Sequence, residues 1–230
     1  MAFEGFSIAA SDFLWGIRFN NYRDWFMAHK QEYLTLVQHP LKELARETYD
    51  GLLEAYPKLD VELHVSRIYR DARRLHGRGP YKDHLWFSIR RPTATHWTER
   101  PVFWFELAPD GYAYGMGIWE AKPFTMDCFR KEITEKPEIL LPLAERLAAQ
   151  EVFTLDSPTY KRPKDGTPDG VLADWYNRKG FSISCSRGWD DTLGSADLVQ
   201  TLVEAYKFLM PYYDFVNGMC DLARIKEIMR

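Results

Sequence analysis

The sequence is poor in cysteine and has no long apolar run, and both absences exclude classes of protein. Its three cysteines, Cys128, Cys185 and Cys220, are isolated and odd in number, which favours reduced thiols over a disulfide framework. No uninterrupted apolar window reaches the roughly 18 residues that a membrane-spanning helix needs. The N-terminus "MAFEGFSIAA" lacks the basic segment of a secretory signal, and its apolar residues are interrupted. We expect a soluble cytoplasmic protein with no membrane partner.

The motifs of several common catalytic sites are also missing. The chain has no G-x-S-x-G elbow, P-loop or G-x-G-x-x-G; "YGMGIWE" has only two of the glycines and follows a hairpin instead of opening a helix. Cys185 falls in an alternating strand and is interpreted as core filling. No pair of histidines has the tight spacing of metal ligands; those considered are His64, His76, His84 and His96. We predict no metal and no cofactor, and no catalytic residue can be named.

The chain does contain enough apolar material for a substantial core. Of its 230 residues, 46% are hydrophobic and 15% aromatic. Apolar residues recur at three-four spacing over residues 22–56, which predicts a buried helical face with Asn21 as its N-cap. Pro40 disfavours helix at the residue before it, so we expect two helices or one kinked helix. Near the C-terminus, Ser195 is predicted to open a helix and Pro211 to start another.

Between these helices the hydrophobic period changes to two, which indicates β-strands. Alternation runs from Val61 to Arg70, resumes in "LWFSIRR" and continues in a hairpin whose strands "PVFWFEL" and "GYAYGMGIW" flank the turn "APDG". "FSISCS" is a further short strand, and residues 156–172 form a long loop that we expect to be functional or mobile. The pattern predicts one α+β domain over residues 1–230, a mainly antiparallel sheet packed with helices from the N- and C-terminal regions.

The most unusual segment is "SRIYRDARRLHGRGPYKDHLW", residues 66–86, in a chain of formal charge −3. Within its sixteen residues 67–82, a single carboxylate, Asp71, stands against six cations: Arg67, Arg70, Arg73, Arg74, Arg78 and Lys82. Guanidinium groups suit phosphate or carboxylate, because their planar fork donates two parallel hydrogen bonds. We predict that these side chains converge on a small anionic ligand in a pocket at one end of the sheet. The alternative is structural: Arg67 and Arg70 pair with Asp71, Glu62 or acidic helix residues.

Three further features can contribute to such a site. Gly115 and Gly117 leave one face of their strand bare, which admits a packed helix or a ligand. The long loop supplies Lys161 and Arg162 if it folds over the same sheet end. Asp71 and His84 could form a general acid–base couple. The predicted ligand-binding residues are Arg67, Arg70, Asp71, Arg73, Arg78, Tyr81, Lys82, Gly115, Gly117, Lys161 and Arg162.

Several motifs occur in order along essentially the whole chain: "NNYRDWF" (20–26), "RIYRDARR" (67–74), "PYK" (80–82), "YGMGIW" followed by Pro123, and "YKRP" (160–163) with "RKGF". Together they resemble domain-of-unknown-function family 2461. The resemblance implies no activity, cofactor or catalytic residue, but it singles out positions such as Asn21, Arg70 and Tyr81. The chain departs from the family pattern at Arg74, where an aromatic is expected, and at residues 76–78, where a Lys-Asp-Lys run is expected. Both departures imply a reshaped anion site.

Three functions remain open at this point. The first is the anion-binding pocket, catalytic or not. The second is a nucleic-acid-binding module, in which the basic residues contact phosphates and Tyr69, Tyr81 and Trp86 stack on bases, although the net charge argues against indiscriminate duplex binding. The third is a protein-interaction scaffold that presents Trp119 and Trp175 among its aromatic residues.

Overall fold

Antiparallel pairing organises the strands of this protein into one sheet. The computed structural model describes residues 2–71, 73, 75, 77–92 and 97–229. Within this part of the chain, six strands lie in the order β1-β2-β3-β4-β6-β5. They are β1 (Glu62–Val65), β2 (Leu85–Arg90), β3 (Pro101–Ala108), β4 (Gly111–Ile118), β5 (Thr154–Leu155) and β6 (Ser182–Arg187). Together with the helices, this sheet confirms the predicted α+β class.

The described helices come from four stretches of the chain, which the strands separate. They are α1 (Ala9–Phe19), α2 (Arg23–Ala28), α3 (Lys30–Glu32), α4 (His39–Ala55), α5 (Pro123–Glu135), α6 (Pro137–Ala148), α7 (Leu172–Tyr176) and α8 (Asp197–Ile228). A 3-10 turn, Trp97–Glu99, precedes β3. Among the described helices, none combines the length and the apolar character that crossing a membrane requires.

The predicted break at Pro40 takes the form of a π-helical turn. Residues Tyr33–Gln38 are π-helical, and the amide of His39 donates to the carbonyl of Leu34, five residues back. Pro40 then lies in the first turn of α4, directly after the π-helical turn. The helical chain therefore changes its hydrogen-bond spacing before the proline but is not interrupted there.

The prediction that Pro211 starts a new helix is wrong. Helix α8 runs through Pro211 without interruption. Apolar side chains on both sides of the proline are buried at helical spacing: Leu202, Tyr206, Leu209, Tyr213 and Val216. Burial of this face stabilises the helix against a cost of about 3 kcal/mol for an interior proline, because most helical stability in proteins comes from packing.

The described chain groups into two compact units. The first contains Met1–Ile89, Trp104–Tyr114 and Ser186–Lys207, and the second contains Arg90–Phe103, Gly115–Cys185 and Phe208–Arg230. Each has its own aromatic core. Phe105 stacks on Phe87 in the first unit at 5.5 Å between ring centroids. Phe103 stacks on Tyr213 in the second at 4.4 Å. The single domain over residues 1–230 stays a prediction.

Two details of the second unit were not foreseen. Strand β5 is only two residues long and pairs antiparallel with β6, with Thr154 opposite Ser184. Trp175, considered for a partner surface, is a core residue with 2% of its surface exposed, whereas Trp119 is 78% exposed.

Candidate functional site

The cationic segment, residues 66–86, contains two antiparallel arms. The first arm runs from Ser66 to Arg70 and the second from Pro80 to Trp86. Strand β1 ends before the predicted limit at Arg70, but paired, extended chain continues past it. Tyr69 forms an isolated bridge with Tyr81. The amide of Lys82 donates to the carbonyl of Ile68 at 2.7 Å. All of these residues belong to the first unit.

The pairing of the two arms is interrupted by a bulge opposite Arg67. On one side of Arg67, Ile68 accepts from Lys82; on the other, the amide of Ser66 donates to the carbonyl of Trp86 at 2.8 Å. Arg67 therefore stands opposite three residues: Asp83, His84 and Leu85. Bulges bend a strand and re-aim its side chains, and they are frequent beside active sites. We define the bulge site as Arg67, Arg70, Lys82, Asp83 and His84.

Asn21 anchors the second arm through its side-chain amide. Its Nδ2 donates to the carbonyl of Tyr81, and its Oδ1 accepts from the amide of the same residue, both at 2.9 Å. Gly79 makes room for this contact, since a Cβ there would lie 2.2 Å from the Asn21 Oδ1. The prediction of Asn21 as an N-cap is wrong: α2 begins after Tyr22, and no side chain caps it. The Asn21 side chain thus bonds to both the amide and the carbonyl of Tyr81.

Arg70 ties the same arm to the carboxylate of Asp83. Its Nε donates to the carbonyl of Tyr81 at 2.8 Å, and its Nη2 lies 3.2 Å from the Asp83 Oδ1. Arg18, from α1, reaches the Asp83 Oδ2 at 2.5 Å. Burial acts to raise the pKa of the Asp83 carboxyl, but hydrogen bonds from Arg18 and His84 outweigh it, so the pKa is lowered. Asp83 therefore stays ionised at neutral pH.

An aromatic cluster supports the arms from the side of α2. The ring of Phe26 stacks on Tyr81 at 4.2 Å and meets the edge of Tyr69 at 6.0 Å. Tyr81 is 4% exposed and Tyr69 is 52% exposed. Burial, followed by the nearby Tyr69 hydroxyl, raises the pKa of Tyr81, and Arg23 partly opposes the shift. The motifs "NNYRDWF", "RIYRDARR" and "PYK" thus meet in one structure, largely through backbone anchoring and ring packing.

Lys82 and Arg67 have no carboxylate partner among the described residues. The Lys82 Nζ donates to the carbonyl of Arg67 at 2.8 Å and lies 5.7 Å from the centroid of the Trp86 ring. Burial lowers the pKa of Lys82, and the charges of Arg67 and Arg70 lower it further. The positive charges of Lys82, Arg67 and Arg70 therefore lie close enough at the bulge to repel one another.

The predicted residues nearer the turn have other surroundings. Asp71 accepts from the Nε of Arg73 at 3.1 Å and from its Nη2 at 2.8 Å, on an exposed surface. Arg78 is exposed, and its amide donates to the carbonyl of Leu75 at 2.8 Å. The predicted acid–base couple required a bond between His84 and Asp71. The partner of His84 is instead Asp83: the His84 Nδ1 lies 3.0 Å from the Asp83 Oδ1.

The remaining predicted residues belong to the second unit. Gly115 and Gly117 are buried against β6, whose main chain is the close neighbour: a Cβ on Gly115 would lie 2.2 Å from the Ile183 carbonyl oxygen, and one on Gly117 would lie 2.6 Å from the Phe181 oxygen. Lys161 and Arg162 are exposed. The closure of loop 156–172 over the cationic segment stays a prediction.

The same loop lines an open pocket of about 530 Å³ in the second unit, through Lys164 and Asp165. Arg130 also lines it, but its guanidinium is occupied: it donates to the carbonyls of Tyr176 at 3.0 Å and Arg178 at 2.9 Å, besides pairing with an aspartate. The buried cation of this pocket therefore serves the fold.

Sequence reasoning missed an acidic group that lies near the bulge site. Glu106, on β3, makes no hydrogen bond with the described part of the chain, and its carboxyl is raised in pKa chiefly by burial; the charge of His84 opposes this shift and that of Asp83 adds to it. The adjacency of Lys82, Asp83 and His84 in "YKDH" was the available signal. The long-range partners Arg18 and Glu106 had none.

No metal centre is visible among the residues that the structure describes, because no three histidine, cysteine, aspartate or glutamate side chains are grouped to hold an ion. His64, of the histidines considered, lies beside Trp86 at 5.4 Å between ring centroids. His76 and His96 lie outside the described residues, as does Arg74.

Comparison with known proteins identifies the family. The model of "Conserved hypothetical protein (DUF2461)" matches residues 9–215, essentially the whole chain. The chain belongs to the DUF2461 family. No curated protein matches it. The DUF2461 match spans the arms, the bulge site and the anchoring residues, and it places the observed geometry in a family context without adding an activity.

Proposed function

We propose that this DUF2461 protein binds a small anionic ligand, phosphorylated or carboxylated, at the bulge site. The observation that carries the proposal is the Lys82 ammonium group, which is partly buried beside Arg67 and Arg70 and whose partners in the described part of the chain are a carbonyl and a ring. Like charges in such proximity oppose folding, and a bound anion would relieve their repulsion.

The local charge balance supports the same proposal. Arg18 and Arg70 share the single carboxylate of Asp83, and Lys82 and Arg67 add two further positive charges. An anion at the bulge could accept charge-assisted hydrogen bonds from guanidinium and ammonium groups together. Arg73 contributes little to this proposal, because Asp71 already holds its guanidinium on two atoms.

Nucleic-acid binding by the same surface has weaker support. Base stacking requires accessible ring faces, but Tyr81 is buried. The Trp86 ring has His64 on it and Lys82 near it. Of the three rings considered, Tyr69 has the largest exposed fraction. We accordingly place the small ligand first and keep a cytoplasmic location as part of the proposal, in keeping with three unpaired buried thiols.

The test is a thermal-shift series against inorganic phosphate, sulfate and small carboxylates. A ligand at 100 times its Kd stabilises the native state by about 2.7 kcal/mol, which is a visible shift in Tm. We expect stabilisation of the wild type that Lys82→Met and Arg67→Ala lose and that Arg73→Ala, the matched exposed arginine, keeps. Equal stabilisation of all four proteins, or of none, contradicts the proposal.

The same variants distinguish a functional from a structural lysine. The folded-state pKa of Lys82 is depressed, so its positive charge costs stability; this cost is fully present below the folded pKa and is lost as the pH rises to the ordinary lysine pKa. Methionine keeps the apolar stem and removes the charge. We expect Lys82→Met, without ligand, to unfold at a denaturant concentration no lower than the wild type.

A further inference from the structure

His84 has the arrangement of an acid–base group. Its Nδ1 lies 3.0 Å from the Asp83 Oδ1, and its side chain is 35% exposed. Because Asp83 is ionised and can only accept, the neutral ring must carry its proton on Nδ1 and leave the lone pair on Nε2. No described residue bonds to Nε2. A carboxylate that fixes the tautomer of a histidine is the arrangement by which general bases are oriented.

The carboxylate is itself held on several sides. Arg18 and Arg70 bond to Asp83 from α1 and from the first arm, so neither the carboxylate nor the ring it orients can swing away freely. Two guanidinium groups therefore hold a single carboxylate. Asp83 is thereby a positioning residue, and the ring nitrogen that faces away from it is the reactive one.

We infer that His84 is the proton-exchanging residue of the bulge site: a proton is taken up at Nε2 when an anion binds, and the imidazolium then donates a hydrogen bond to it. This inference rests on the proposed anion site, which lies on the same bulge. It extends that function from binding to general acid–base chemistry on a phosphorylated or carboxylated ligand. The proton comes from solvent and is returned on release, so the step is balanced without a further reactant.

Other charged groups face His84, and the experiment must separate them. Asp83 and Lys82 adjoin it in sequence, Arg18 and Arg70 reach it through Asp83, and Glu106 interacts with it from β3, with Asp110 beyond. Glu106 is the main competitor, because a buried carboxyl with a raised pKa can also take up a proton. Glu106→Gln removes that proton and keeps the side-chain shape. His64→Gln removes the other imidazole near Lys82 and serves as the matched histidine control.

The experiment is calorimetric titration of the full chain with sulfate, which does not itself titrate near neutral pH. Affinity is measured at about pH 5.5 and about pH 8, and proton uptake is measured from buffers of different ionisation enthalpy. We expect roughly tenfold tighter binding at the lower pH, as for one charge-assisted hydrogen bond. His84→Gln should abolish both the pH dependence and the proton uptake, whereas Glu106→Gln and His64→Gln should keep them.

The possible outcomes separate the two proposals. Absence of sulfate and phosphate binding by the wild type overturns the anion site and the inference with it. If binding is saturable but independent of pH, the inference is overturned and the anion site is retained. The same holds if Glu106→Gln loses the proton uptake and His84→Gln keeps it. If His84→Gln is unfolded, ring NMR of the wild type at about pH 5.5 decides: sulfate should shift the ring resonances of His84, because Nε2 then donates to the anion, and unshifted resonances overturn the inference.

Discussion

Replacing Asn21 by alanine should destabilise the protein far more than the same change one residue earlier. Asn21 makes two hydrogen bonds of 2.9 Å to the main chain of Tyr81. The Tyr81 carbonyl keeps a bond from Arg70 at 2.8 Å, but its amide has no other acceptor in the described chain. Two lost hydrogen bonds cost about 1 kcal/mol each, and an unsatisfied partly buried amide adds about 1 kcal/mol or more. The expected loss is roughly 2–4 kcal/mol.

Asn20→Ala is the matched control. Asn20 donates one hydrogen bond, from Nδ2 to the carbonyl of Gly16 at 3.0 Å, at the end of α1. Its loss should cost about 1 kcal/mol. Asn21→Asp keeps the acceptor and loses the donor, so it should fall between the two.

Urea denaturation of the three variants measures these differences directly from the midpoints, provided the slope is unchanged. An Asn21→Ala variant no less stable than Asn20→Ala would refute the anchoring role. It would also refute the view that the arms of the cationic segment are held by this family motif.

Three further changes test other parts of the structure. Burial raises the folded-state pKa of Glu106, so the stability that its protonated carboxyl contributes is fully present below the ordinary glutamate pKa and is lost as the pH rises through the raised value. Glu106→Gln should therefore stabilise the protein at neutral pH but not in acid. Denaturation curves at both pH values measure this difference. Gly115→Ala places a Cβ 2.2 Å from the Ile183 carbonyl oxygen and should cost about 1–3 kcal/mol. Gly218→Ala lies in α8, where an added Cβ meets no described atom within 4 Å apart from its chain neighbours and the helix's own backbone, and should stabilise by about 0.5–1 kcal/mol. Equal effects of the two substitutions would contradict the close β4–β6 approach. Burial raises the pKa of the Cys220 thiol to about 11, so a thiol reagent near neutral pH should label it only on unfolding, and rapid native labelling would show that the thiol is accessible.

Local patterns predicted most of the fold because each depends on neighbours along the chain. The hairpin β3–β4 was predicted from the two strand-like segments on either side of the turn "APDG", and it was confirmed. The continuity of α8 through Pro211 was not predictable in this way, since it depends on what both halves of the helix bury. Asn21 was misinterpreted for the same reason: its partner is Tyr81, sixty residues away.

The candidate site could be predicted only in part. The concentration of cations from Arg67 to Lys82 was visible in the sequence, but which of them are paired was not. Arg70 is held by Asp83 and Arg73 by Asp71, Arg78 is exposed near the turn, and Arg74 lies outside the described residues. Lys82 and Arg67, at the bulge, are therefore the cations of interest. The shift in pairing that inserts Asp83 and His84 opposite Arg67 is a property of two strands together. Alternation within one strand carries no information about it.

The central claim is that the like-charged cluster around Lys82 binds an anion. Its most direct test is the Kd of inorganic phosphate at low ionic strength, measured by calorimetry for the wild type, Lys82→Met and Arg73→Ala. We predict saturable one-to-one binding that weakens at least about tenfold in Lys82→Met, as expected for the loss of one charged donor, and is unchanged in Arg73→Ala. Phosphate binding that Lys82→Met retains at full strength, or no binding by the folded wild type, would contradict the claim.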